Sequence, residues 1–69
     1  MNSLKRYIEH RTPTGSFLQK VLENNLFEAI ARADEENIIA LKDIVLYIYN
    51  KAPSACWGSP EKVKEWLNN

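Results

Sequence analysis

Along this chain the apolar side chains recur every three or four residues and never alternate, and four interruptions divide them: Pro13, Asn24-Asn25, Asp34 and Pro53. Such spacing marks helices with one buried face, and the missing two-residue period speaks against strands. Leu4, Tyr7 and Ile8 after Asn2-Ser3 predict a first helix over about residues 3–10, ended by Pro13. Thr14 or Gly15 opens a second, with Phe17, Leu18, Val21 and Leu22 as its stripe. The stripe stays in phase through Leu26, Ala29, Ile30 and Ala33, which permits one long helix to residue 33. Asn25 with Glu28 three residues later approximates a capping box, so a break or kink at Asn24-Asn25 is preferred.

Asp34 caps the next helix, with Glu35 and Glu36 in the first turn where the helix dipole favours negative charge. Ile38, Leu41, Ile44, Val45 and Ile48 are expected to face inward, and Ile39, Leu46, Tyr47 and Tyr49 widen the apolar arc. Lys51 stands in the last turn with the sign the dipole prefers, and Pro53 closes the helix. Ala52 to Ser59 is the one substantial irregular segment. Ser59 as cap, Pro60 at the first helical position and Glu61 behind it start a last helix to about Leu67, packing Val63, Trp66 and Leu67 inward. The expected fold is all-α, a compact bundle of four or five short helices forming a single domain, residues 1–69.

Composition changes this picture in one respect. Hydrophobic residues make up 45% of a 69-residue chain and include two Trp, three Tyr and two Phe, more apolar surface than so small a core absorbs. Self-association is the expected remedy, giving a homo-oligomer. Cys56 is the single cysteine, which excludes an intramolecular disulfide and fits a reducing interior. The opening residues carry charge at Lys5, Arg6, Glu9 and Arg11 rather than a signal-peptide core, and the apolar run Ile44 to Tyr49 is too short to span a bilayer. A soluble cytoplasmic protein without a membrane partner is expected.

Net charge is zero but unevenly spread. Residues 1–20 carry a net +3, residues 21–50 a net −4 and the remainder a net +1. A neutral total argues against sequence-independent duplex binding, so nucleic acid is not an expected partner. A basic first third can still serve one small anion.

Two glycine-serine helix starts are the candidate sites. In the first, Gly15 lets a ligand approach the backbone, Thr14 and Ser16 offer hydroxyls, and the first amides of the helix point outward. Arg6, Arg11 and Lys20 can supply charge around it, and His10 a switchable donor. The same residues also read as an ordinary cap, and the Gly-Lys-Ser/Thr ending of a P-loop is absent, so NTP hydrolysis is not supported. In the second, Trp57 can stack on a ring while Gly58 and Ser59 meet a phosphate or ribose. The alternative is a Trp lid over a small core. Tyr7, Tyr47 and Tyr49 read as core residues with one wet edge. Cys56 with His10 has no third group to orient it as a nucleophile. One His and one Cys do not make a closed zinc site, and no cofactor is expected.

Thr14-Gly-Ser-Phe-Leu18, Val21-Leu-Glu-Asn24, Arg32-Ala-Asp34, Tyr47-Ile-Tyr-Asn50 and Cys56-Trp-Gly-Ser-Pro-Glu61 with Trp66-Leu67 together resemble a family of small, mostly uncharacterised accessory proteins encoded by tailed phages and prophages. The resemblance covers nearly the whole chain and carries over no catalytic motif. It implies a protein at work in the host cytoplasm against host defence, either by blocking a host protein or by sequestering a nucleotide-derived signal. The leading expectation is a non-enzymatic oligomer that binds a phosphorylated, nucleotide-like small molecule through Arg6, His10, Arg11, Thr14, Gly15, Ser16, Lys20, Trp57, Gly58 and Ser59. Its rival is a protein-binding inhibitor or adaptor that uses exposed members of the arc Ile39, Leu46, Tyr47 and Tyr49. The rival predicts a large exposed apolar patch and no enclosed polar pocket. A DNA-binding regulator ranks third, against the acidic middle of the chain, and an enzyme last.

Overall fold

A computed structural model describes residues 2–68. The helical spacing becomes α1 (Asn2–His10), α2 (Ser16–Leu22), α3 (Leu26–Ala31), α4 (Glu35–Lys51) and α5 (Pro60–Asn68), with a 3-10 turn at Ser54–Cys56 between the last two. No described residue lies in a strand, so the all-α expectation holds. None of the described helices is long and apolar enough to cross a membrane.

The chain breaks at Asn24-Asn25, and each asparagine does a different job. Asn24 takes the left-handed conformation at φ +63°, which asparagine tolerates better than most residues. Its N–H donates to the Val21 carbonyl at 3.0 Å and that of Asn25 to the Lys20 carbonyl at 2.9 Å, the paired bonds of a Schellman cap ending α2. Asn25 then starts α3, its Oδ1 accepting the Glu28 N–H at 3.3 Å. Only half of a capping box forms, because the Glu28 carboxylate turns the other way to Arg32, at 3.2 Å.

The remaining helix ends follow the capping residues. Asp34 Oδ1 accepts the Asn37 N–H at 2.8 Å and Ser59 Oγ accepts the Lys62 N–H at 3.2 Å. Ahead of Pro53, Ala52 is driven to extended backbone and α4 stops. α1 ends at Arg11, which adopts φ +57° and donates its N–H to the Tyr7 carbonyl at 3.0 Å.

Leu4 and Tyr7 of α1, Phe17 and Leu22 of α2, Ala29 of α3, Ile44 and Ile48 of α4, Cys56 and Val63 make the buried core. Around Tyr7 a clasp joins both ends of the chain. The Tyr7 hydroxyl donates to the Cys56 carbonyl at 2.7 Å, and the Trp66 indole N–H donates to the Tyr7 carbonyl at 2.7 Å. The Arg11 guanidinium lies 3.7 Å above the Trp66 ring and donates to the Trp66 carbonyl at 3.1 Å.

Two features of the predicted core are corrected by the fold. Ile38 and Val45, expected inward, are exposed, and so are Leu26 and Ile30 of α3. The reason is that α4 is apolar on two adjacent faces. At about 100° per residue, Ala40, Ile44, Tyr47 and Ile48 cluster on one side, while Ile38, Val45, Tyr49, Ile39 and Leu46 cover the next. Glu36, Asp43 and Asn50 take the remaining side, and periodicity alone does not choose which of the two apolar faces this chain covers.

Candidate functional site

The anion candidates are dispersed. Thr14 Oγ1 donates to the neighbouring Gly15 carbonyl at 3.2 Å, Gly15 and Ser16 stand exposed at the start of α2, and no side chain caps that end. The Lys20 ammonium faces away to Glu23, at 3.2 Å, and Glu23, itself buried, also accepts a hydrogen bond from Gln19 Nε2 at 3.0 Å. Arg11 is engaged on Trp66. Arg6 and His10 lie on the outer face of α1 beside Asn2, Lys5 and Glu9, so a carboxylate shares their shallow hollow.

The second loop sits elsewhere. The Gly58 N–H donates to the Leu22 carbonyl at 2.7 Å, which pins Gly58, at φ +115°, to the C-terminal end of α2. Thr14, Gly15 and Ser16 occupy the N-terminal end, about 10 Å away along a seven-residue helix. The two glycine-serine loops are therefore separate helix starts, and the loop carrying Trp57 and Ser59 meets the carbonyl end of α2, where an anion is disfavoured. Trp57 is a half-buried lid: its indole N–H points to the Ala52 carbonyl at 3.4 Å and its ring stands edge-on to Tyr49 at 6.3 Å.

What the fold does bring together is apolar. Between the α2–α3 junction, α4 and the Trp57 loop opens a groove of about 280 Å³, walled by Val21, Leu26, Val45, Ile48, Tyr49 and Trp57, with Asn24 and Asn25 at its polar edge. Outside this groove Phe27 and Ile30 of α3 and Ile38, Ile39 and Leu46 of α4 are exposed as well. Phe27 is 91% exposed and Ile39 78%, values that leave both side chains essentially unpacked, while Tyr49, 71% exposed, meets Trp57 at its edge. Of the arc Ile39, Leu46, Tyr47 and Tyr49, only Tyr47 turns in, half-buried against the core.

Phe27 escaped the reading of the sequence, although a signal was present. It stands about 100° out of phase with the Leu26 and Ile30 stripe, where a polar residue belongs on a surface helix. Burial pushes the Tyr7 hydroxyl and the Cys56 thiol above their ordinary values of 10.0 and 9.0, so both are protonated and unreactive at neutral pH. Among the described residues no three His, Cys, Asp or Glu side chains gather where they could hold a metal ion. Compared with family models, with curated proteins and with solved structures, the chain matches none.

Proposed function

We propose that this chain is a non-catalytic interaction module whose working surface is the apolar face of α3 and α4. The observation that carries the reading is that α4 has two adjacent apolar faces and only one of them is buried, the other, with Ile38, Ile39, Val45, Leu46 and Tyr49, standing exposed. Together the eight large exposed apolar residues, five of them on α4, offer on the order of 900 Å² of surface to a partner. Aromatic groups at Phe27, Tyr49 and Trp57 are the residue types that anchor protein contacts. Of the two roles that the resemblance to small phage accessory proteins implies, blocking a host protein is the one that fits such a surface.

Binding of a phosphorylated small molecule has less behind it. That reading asks Arg11, Lys20, the α2 start and Trp57 to converge, whereas Arg11 is held by Trp66, Lys20 by Glu23, and Trp57 lies at the far end of α2.

The test is a photo-crosslinking amino acid placed at Ile39 in the protein expressed in its own cells, with Lys64 of α5 as the control position. An adduct of discrete mass from position 39 and none from position 64 is expected. No discrete adduct from position 39 overturns the reading.

A further inference from the structure

We infer that the partner of the α4 face is a second copy of this chain, packed antiparallel so that a two-fold axis passes between Ile38 and Ile39. This rests on the reading of that face as a docking surface.

The order of side chains across the face selects this geometry. Projected down the helix, Ile38, Val45 and Tyr49 form one row and Ile39 and Leu46 another, and between the rows stand Glu35 and Lys42. Those two charges sit amid exposed apolar groups, and neither has an ion-pair partner among the described residues. They are seven residues apart, two turns along one face, and of opposite sign.

Parallel packing would set Lys42 against Lys42 and Glu35 against Glu35. Antiparallel packing about the midpoint of residues 38 and 39 sets each Glu35 against the Lys42 of the other copy, twice by symmetry. Isologous contacts need this kind of self-complementarity, in which one patch satisfies itself. Ile38 and Ile39 of both copies then close over the axis. The C-terminal half of each α4, with Val45, Leu46 and Tyr49, extends past the start of the partner's α4, toward the short segment that joins α3 to α4.

The area agrees with this occupant. Ile38, Ile39, Val45, Leu46 and Tyr49 of α4 supply on the order of 550 Å² per copy, and Leu26, Phe27 and Ile30 of α3, which the overhanging ends of α4 are to meet, bring this to the roughly 800 Å² that each side of a standard stable interface buries. A second copy thus accounts for both the apolar area and the charges stranded within it.

The experiment is sedimentation equilibrium on the purified full chain, together with Glu35→Lys, Lys42→Glu and the double reversal, each shown by circular dichroism to keep its helices. The wild type is expected to sediment as a dimer. Each single reversal opposes like charges twice and weakens dimerisation at least tenfold, and the double reversal returns the dissociation constant to within about threefold of wild type. A monomer at every concentration overturns the inference. If position 39 still crosslinks to a protein of another mass, the docking reading survives and the second copy falls. If position 39 yields no adduct, both fall. A dimer indifferent to the single reversals, or one that the double reversal fails to restore, overturns the antiparallel register.

Discussion

Tyr7 is the side chain on which most of the described structure converges. Its ring is buried against Trp66 at 6.4 Å between centroids, its hydroxyl donates to Cys56 and its carbonyl accepts from Trp66. Replacing it with Phe keeps the ring and leaves the buried Cys56 carbonyl without that donor, at a cost of about 1–2 kcal/mol. For a domain of this size such a loss lowers the thermal midpoint by roughly 4–16 °C. A second consequence follows from pH. In the unfolded chain the phenol ionises near 10.0 and the thiol near 9.0, whereas in the fold both hold their protons to higher pH. The stability they contribute is present below those values and is lost as pH rises past them. The urea midpoint is expected to be level between pH 7 and about pH 9 and to fall above it, less steeply in Tyr7→Phe. Equal slopes in the two proteins would show that Tyr7 takes no part in the alkaline loss.

Arg11 carries a backbone role and a side-chain role that mutation can separate. Glycine at this left-handed position relieves the backbone but removes the guanidinium from Trp66, whereas alanine loses the guanidinium and keeps the backbone cost. Arg11→Gly is therefore expected to be more stable than Arg11→Ala by about 1 kcal/mol, with both less stable than wild type in urea titrations. Arg11→Glu, which would otherwise serve as a test of anion binding, strips the same clasp and reports on folding first.

At the scale of elements, the segments are set by local chemistry, and for that reason they were legible. Asp34, Ser59 and Pro60 act as side-chain rules say they should, and Pro13 and Pro53 follow helix ends that they enforce. The break at Asn24-Asn25 was readable only as a preference, because the apolar stripe runs through it in phase; what decides is the tolerance of Asn24 for positive φ. Asn24 is exposed, so its substitution tests the backbone nearly alone. Asn24→Gly is expected to match wild type within about 0.5 kcal/mol, and Asn24→Val, branched at Cβ, to lose about 1–2 kcal/mol. Equal losses would mean that the asparagine side chain, rather than its backbone freedom, ends α2. The sites were less legible than the helices for a related reason. Thr, Gly and Ser at a helix start look alike whether they cap or bind, and the partners of Arg11 and Lys20 depend on chain positions that only the fold brings near.

For the whole molecule the controlling quantity is how much apolar surface one chain can cover, and here a thin core leaves the second face of α4 outside. Stability and assembly are then linked by mass action, because whatever covers that face binds the folded chain and not the unfolded one. Cys56 offers a direct readout, since it is fully buried in the core and its thiol titrates above the ordinary thiol range. An aromatic disulfide reagent reaches it only when the core opens, so native labelling is expected to be slow and limited by opening. If two copies share the α4 face, opening a protomer that is in a dimer also gives up the interface, and the labelling rate should fall as protein concentration rises through the dissociation constant. Leu46→Glu places a charge in that face without touching the core, and its labelling rate should not depend on concentration. Wild-type labelling that is fast at every concentration would place Cys56 outside the cooperative core. Slow but concentration-independent labelling in both proteins would show that the fold stands without its second face covered.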